Sequence, residues 1–410
     1  MTDVRNYILV TIAYWGFTLT DGALRLLVLL HFHTLGYSPF KLATLFLLYE
    51  FMGVLTNLMG GWLGSRFGIK SILLSGLTLQ IVSLILLSLL NPLWSAIFSL
   101  VFVLFAQGLS GVAKDLTKMS SKSAVKLIVP KDNHSTLFKL VALLTGSKNT
   151  LKGLGFFLGG FLLSVCGFVY ALWIMATVLL FVLILSGLLL TGSMDKTSKK
   201  ARFGEIFSKS RPINILSMAR FFLFGARDVW FVIGLPIFML SNLGWTFEEV
   251  GGFLALWVIG YGFIQGFAPK LIKNSKDGHS TELKYASLWM VILCIVTLSI
   301  AVAIELQFFI PVSLLIGLAI FGFCFAINSA LHSYLILNFS NVEDVTLSVG
   351  FYYSANAGGR LLGTLLSGVS YQAFGLTGVI LVALGMLVIA TVFMMQLRSS
   401  FNYENTNQKY

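Results

Sequence analysis

The sequence predicts an all-α membrane protein of twelve transmembrane helices, folded as two six-helix bundles related by pseudo-twofold symmetry, and three observations predict it. The 410 residues are 57% hydrophobic and only 11% charged, and the mean hydropathy is +0.90, a balance that water-soluble globules do not show. Apolar segments of about 20 residues, long enough to cross a hydrocarbon core, recur along the whole length. The chain also repeats itself. A shift of 208 residues lays LGYS at Leu35 on LGWT at Leu243, and Lys152, Gly155, Gly160 and Gly167 on Arg360, Gly363, Gly368 and Gly375.

The predicted spans are 6–30, 41–63, 71–90, 95–117, 138–164, 168–190, 213–239, 248–269, 284–305, 309–337, 346–370 and 375–397. The start, MTDVRNYILV, runs into apolar sequence too long for a removable leader and without a small-residue cleavage site, so it is read as the first span. The one long polar stretch between spans, DKTSKKARFGEIFSKSRP, falls near the midpoint. The expected organisation is therefore an N-terminal bundle over 1–190, a cytoplasmic linker over 191–212 and a C-terminal bundle over 213–410. With the N-terminus inside, the inner loops receive Arg66, Lys70, Lys122, Lys126, Lys131, the linker, Lys270, Lys273 and Lys276, whereas the outer loops receive essentially Lys41. That asymmetry predicts both termini on the cytoplasmic face.

The net charge of +12 could serve nucleic acid, anionic lipid or an anionic ligand, and its placement decides. Part of it lines inner loops. The rest lies within or beside the spans, where a charge costs on the order of 2.5–3.5 kcal/mol and so marks a functional candidate. The cations are Arg25, Lys114, Lys118, Lys148, Lys152, Arg220, Arg227 and Arg360; the acids, candidates for ion pairing or proton coupling, are Asp21, Glu50, Asp115 and Asp228. Eight cations against four acids leave a deficit that a polyanionic substrate would fill. Nucleic acid is not an expected partner; the bilayer and a small anion are.

Residues four or seven apart share a helix face. Asp21 and Arg25 are spaced to pair on the first span, Lys148 and Lys152 share one face of the fifth, and Arg220, Phe224 and Arg227 one face of the seventh. The tenth span adds Asn328 and His332 as polar candidates. Plainer roles compete: Lys118 at a headgroup, Arg220 on a lipid phosphate, Glu50 as a protonated structural acid, the deeper cations in structural ion pairs. In GVAKDLTKMSSKSAVK, Lys122 and Lys126 read as inner-face anchors, while Lys114, Asp115 and Lys118 read as a funnel at the inner mouth of a cavity. Gly155 with Gly159, and Gly359 with Gly363, are expected to admit a close helix neighbour. Cys166, Cys294 and Cys324 stand in separate apolar segments, so no metal site is expected; no catalytic constellation, phosphate loop or cofactor motif is found.

Two parallel six-helix repeats are the organisation of major facilitator transporters. The loop GGWLGSRFGIK resembles that superfamily's G-x-x-x-D-R-x-G-R motif, a conformational-switch loop, in Gly61, Arg66, Gly68 and Lys70, with Ser65 in place of the acid. LFAQGLSG resembles the proton-coupled R-x-x-Q-G motif in Gln107 and Gly108, with Leu104 in place of the arginine, which speaks against proton coupling by that route. Longer strings, among them DVRNYILVTIAYWGFTLTDGALRLLVLLHFHTLGYSP, SGVAKDLTKMSSKSAVKLIVP, LLTGSKNTLKGLGFFLGG, FLFGARDVWFVIGLP and GGFLALWVIGYG, resemble the ArsJ-type organoarsenical efflux permeases. The resemblance implies a monomer in a bacterial inner membrane that exports 1-arseno-3-phosphoglycerate. It also implies a functional link to glyceraldehyde-3-phosphate dehydrogenase, which makes that compound, and hence arsenate resistance. The residues alone leave two other transporters open, an organophosphate or phosphate exchanger and a multidrug proton antiporter. The antiporter is expected to carry more acids than bases in its cavity, the reverse of what stands here.

Overall fold

The computed structural model describes residues 2–128, 134–190, 210–271, 280–340 and 345–407; the side chains at 2–3, 60–66, 122–123, 125–128, 134–143, 145, 269–271, 345–347 and 402–407 fall outside the description. Lys131, Lys273, Lys276 and most of the linker thus lie outside the described residues, as do the side chains of Arg66, Lys122, Lys126 and Lys270.

Every regular element among the described residues is helical. The order is α1 (Thr2–Thr34), α2 (Pro39–Phe67), α3 (Ile69–Ser88), α4 (Ala96–Ile128), α5 (His134–Leu189), α6 (Arg211–Val229), a π-helical turn (Trp230–Gly234), α7 (Leu235–Ser241), α8 (Phe247–Leu271), α9 (Ser280–Glu305), α10 (Ile310–Phe339) and α11 (Val345–Asn407). At a rise of about 1.5 Å per residue, α5 and α11 are far longer than one crossing of a core about 30 Å thick. Each bends at a glycine in the left-handed region, Gly167 with φ 75° and Gly375 with φ 61°, a conformation that only glycine adopts without strain. Each therefore supplies two spans. Short breaks were expected at these places, and the non-helical Gly167 and Gly375 supply them, so the described helices amount to twelve spans.

The seventh span is α6, the π turn and α7 taken together. Pro236 sits one residue into α7 and has no N–H to give the carbonyl of Val232. The backbone widens just before it, and Leu235 N–H closes on Trp230. Ser367 of α11 accepts the Gly234 N–H at 3.1 Å.

Helix pairing follows the expected glycines. A Cβ on Gly155 or Gly159 would strike the carbonyls of Leu19 or Ala23 on α1, and one on Gly359 or Gly363 those of Phe221 or Gly225 on α6. The lines α1 against α5 and α6 against α11 are accordingly backbone to backbone. Large apolar side chains such as Leu93, Ile97, Tyr170, Leu188 and Phe374 stay exposed, as suits a surface solvated by lipid tails.

The chain packs as two compact units: Met1–Tyr37, Thr44–Phe203 and Gly244–Gly262 form the first, Ser38–Ala43, Gly204–Leu243 and Phe263–Tyr410 the second. The start of α2 thus belongs with the second unit and most of α8 with the first. The 208-residue shift relates these two segments. In the first unit Gly160 abuts the carbonyl of Phe247, and the Ser164 hydroxyl donates to the Glu248 carboxylate. In the second, a Cβ on Gly368 would lie 2.5 Å from the carbonyl oxygen of Pro39, and the Phe40 N–H donates to Gln372 Oε1 at 3.2 Å. All four partners correspond by the same shift.

Candidate functional site

Each unit holds a buried cluster of cations. In the first, α1, α2 and α4 bring together Asp21, Arg25, Tyr49, Glu50, Asn57, Lys114, Asp115 and Lys118. Arg25 Nη1 lies 2.8 Å from Glu50 Oε1, and Lys114 Nζ lies 3.9 Å from both Glu50 Oε2 and Asp115 Oδ2. Lys118 Nζ donates to Asp115 Oδ1 at 2.5 Å and to Asn57 Oδ1 at 2.7 Å. Two fully buried acids therefore serve three cations, each acid shared by two.

One expectation is corrected. Asp21 does not pair with Arg25 one turn along α1; it accepts the Tyr49 hydroxyl at 2.6 Å. Arg25 instead reaches across to α2, where its guanidinium gains a charge-assisted hydrogen bond to the fully buried Glu50 carboxylate. Glu50, an ion-pair candidate, lies within reach of both Arg25 and Lys114. The Tyr49 ring carries Lys114 Nζ 4.0 Å from its centroid and the Arg25 guanidinium at 5.4 Å, so an aromatic face lies beneath both charges.

In the second unit Asp228 is the shared acid. Its Oδ1 accepts from Arg227 at 2.5 and 2.8 Å, and its Oδ2 from Arg360 Nε at 2.9 Å. Asp228 is 1% exposed, the two arginines 15%. Phe224 lies between Arg220 and Arg227, at 3.7 and 4.9 Å from the guanidinium carbons. The face-sharing read from the spacing is what brings these three together.

Arg220 is bound differently. It is 4% exposed, and its hydrogen-bond acceptors are neutral: Asn356 Oδ1 at 3.0 Å, the Ser329 carbonyl at 3.2 Å and the Ser329 hydroxyl at 3.1 Å. Such burial removes it from reach of a headgroup phosphate. Asn328 and His332 of α10 are fully buried beside this group, with Ser329 between them in sequence.

The remaining candidates are spread more widely. Lys148 and Lys152 are half-buried on α5, with Lys152 Nζ 5.9 Å from the Phe156 ring centre. Gly68, with φ 75°, turns the chain between α2 and α3. Lys70 Nζ donates to the carbonyls of Gly187 at 3.1 Å and Leu190 at 2.6 Å, capping the end of α5. Gly61 and Arg66 have no described side-chain surroundings.

Sequence reasoning passed over Tyr49, Asn57, Ser329 and Asn356. Three of them have a signal in hindsight: Asn57 follows Glu50 by seven residues, Asn356 precedes Arg360 by four, and Ser329 precedes His332 by three. These three are polar residues on a helix face already marked by a charged or polar candidate. Among the described residues no group of three His, Cys, Asp or Glu side chains could hold a metal ion.

Residues 7–278 match the family described as the Major Facilitator Superfamily. No curated protein matches the chain.

Proposed function

The chain belongs to the major facilitator superfamily and is a multi-pass membrane transporter, and on that premise we propose that it exports a polyanionic organoarsenical, 1-arseno-3-phosphoglycerate, by alternating access. Arg220 supports this most: a buried guanidinium whose hydrogen bonds go to neutral acceptors, in a unit whose Asp228 is already divided between Arg227 and Arg360. A cation without a carboxylate in a low-dielectric site favours an anion that brings its own charge.

Arg25, Lys114, Lys118, Lys148 and Lys152 attract the ligand in the first unit, and Arg220, Arg227, Arg360, Asn328 and His332 hold it in the second. Asp21, Glu50, Asp115 and Asp228 keep these cations from repelling one another when no ligand is bound. The loop carrying Gly61, Arg66, Gly68 and Lys70 acts in the conformational switch. With both termini in the cytoplasm of a bacterial inner membrane, the inside-negative potential favours exit of an anion by about 2.3 kcal/mol per charge per 100 mV. No dedicated proton acid is then required. The protein acts as a monomer, downstream of the glyceraldehyde-3-phosphate dehydrogenase that forms the substrate.

Arsenate resistance of cells expressing the protein tests this reading. Lys152→Ala and Arg360→Ala are each expected to lower resistance at unchanged protein level. Full resistance in both variants would remove the proposed site. An organophosphate exchanger uses the same cation chemistry, and transport of phosphoglycerate with none of the arsenylated compound would favour it.

A further inference from the structure

The second unit holds orphaned hydrogen-bonding groups beside Arg220 that the ion-pair network does not use. His332 is fully buried, and neither ring nitrogen has a hydrogen-bond partner. Ser329, three residues earlier on α10, accepts from Arg220 Nη1 through both its carbonyl and its hydroxyl. One turn before His332, Asn328 is also fully buried; its Nδ2 donates to the Cys324 carbonyl at 3.2 Å, and its Oδ1 has no donor. Leaving a buried polar atom unsatisfied costs about 1–3 kcal/mol, and buried polar groups in folded proteins are normally paired. Three orphaned atoms on one helix face, next to a guanidinium held by neutral acceptors, therefore call for an occupant.

The donor and acceptor inventory states its chemistry. Arg220 offers only donors, so it suits an oxyanion. A neutral imidazole offers one donor and one acceptor, and Asn328 Oδ1 offers an acceptor. Acceptors cannot be satisfied by an oxyanion; they need an O–H. The complementary ligand is thus an oxyanion with a hydroxyl close by.

We propose that Arg220, Asn328 and His332 form a subsite for the end of the ligand where an oxyanion group neighbours a hydroxyl, in which Arg220 takes the oxyanion while His332 and Asn328 take the hydroxyl. This rests on the anion-transport reading above and adds to it a requirement for the hydroxyl. Sites that hydrogen-bond a ligand hydroxyl discriminate strongly against the analogue lacking it, because their polar groups are then left unpaired.

The test is calorimetric binding to the purified full-length protein in lipid nanodiscs, with 3-phosphoglycerate and with 3-phosphonooxypropanoate, which lacks the 2-hydroxyl. The wild type is expected to bind the hydroxylated compound at least about tenfold more tightly. His332→Phe should erase that preference by weakening 3-phosphoglycerate and leaving the deoxy analogue unchanged. His332→Gln, which keeps a donor and an acceptor, should retain most of it, and Arg220→Gln should lose both ligands. Equal affinity of the wild type for the two compounds overturns the subsite while the anion reading stands, and is the result expected if His332 and Asn328 merely enclose a water molecule. Binding of neither compound also overturns the subsite, which needs only an oxyanion beside a hydroxyl, while arsenic uptake into vesicles tests the anion reading separately.

Discussion

Asp228 compensates two arginines at once, and that sharing governs what its loss does. Removing one partner of a buried ion pair costs about 3–5 kcal/mol, since the remaining charge stays buried without compensation. Asp228→Asn should therefore lower the melting temperature of the purified protein more than Arg360→Gln does. The double variant Asp228→Asn with Arg360→Gln should recover part of the loss. Equal effects of the two single changes would mean that Arg227 finds another counter-charge. Phe224→Ala removes a ring from between two guanidiniums and is expected to cost about 1–2 kcal/mol per desolvated contact, read in the same melting experiment.

The residues of these clusters were legible in the sequence because each is a charge where apolar side chains dominate. Their partners were not. Spacing places Asp21 and Arg25 on one face of α1, but it carries no information on which neighbouring helix brings Glu50 or Tyr49 against that face. The sharing of acids was invisible for the same reason, and so was the holding of buried Arg220 by neutral acceptors, which a count of eight cations against four acids does not distinguish.

Among the elements, the two glycine bends and the π turn set the path of the chain. Gly363 abuts the backbone of Gly225, whereas nothing lies within 4 Å of a Cβ added at Gly187 or Gly385. Gly363→Val should consequently abolish folded protein, as followed by monodisperse elution from a sizing column. Gly385→Ala should elute as the wild type does. A well-folded Gly363→Val protein would show that α6 and α11 can separate without penalty. The close glycine contacts were readable as small residues at helical spacing. The π turn was not, since its cause is the single Pro236 in a run otherwise suited to unbroken helix.

Across the whole molecule, the repeat is the deepest signal in the sequence and the one the structure repeats in most detail. Gly160 with Phe247 and Ser164 with Glu248 stand to the first unit as Gly368 with Pro39 and Gln372 with Phe40 stand to the second. Gly160→Val and Gly368→Val are therefore expected to impair transport in the same direction and to a comparable degree. An effect confined to one of them would show that the two copies have diverged in role. Hydropathy and repeat made the twelve spans legible; the reciprocal placement of the α2 and α8 starts was not, because it depends on backbone approach that no single residue type announces.

Transport of the anion itself is tested most directly by arsenic uptake into everted membrane vesicles containing the protein, supplied with arsenate, glyceraldehyde-3-phosphate dehydrogenase, its nucleotide and its triose phosphate. The account predicts accumulation that requires every component and is lost in Arg220→Gln vesicles. Uptake that persists without the dehydrogenase, or that is unchanged by Arg220→Gln, would contradict it.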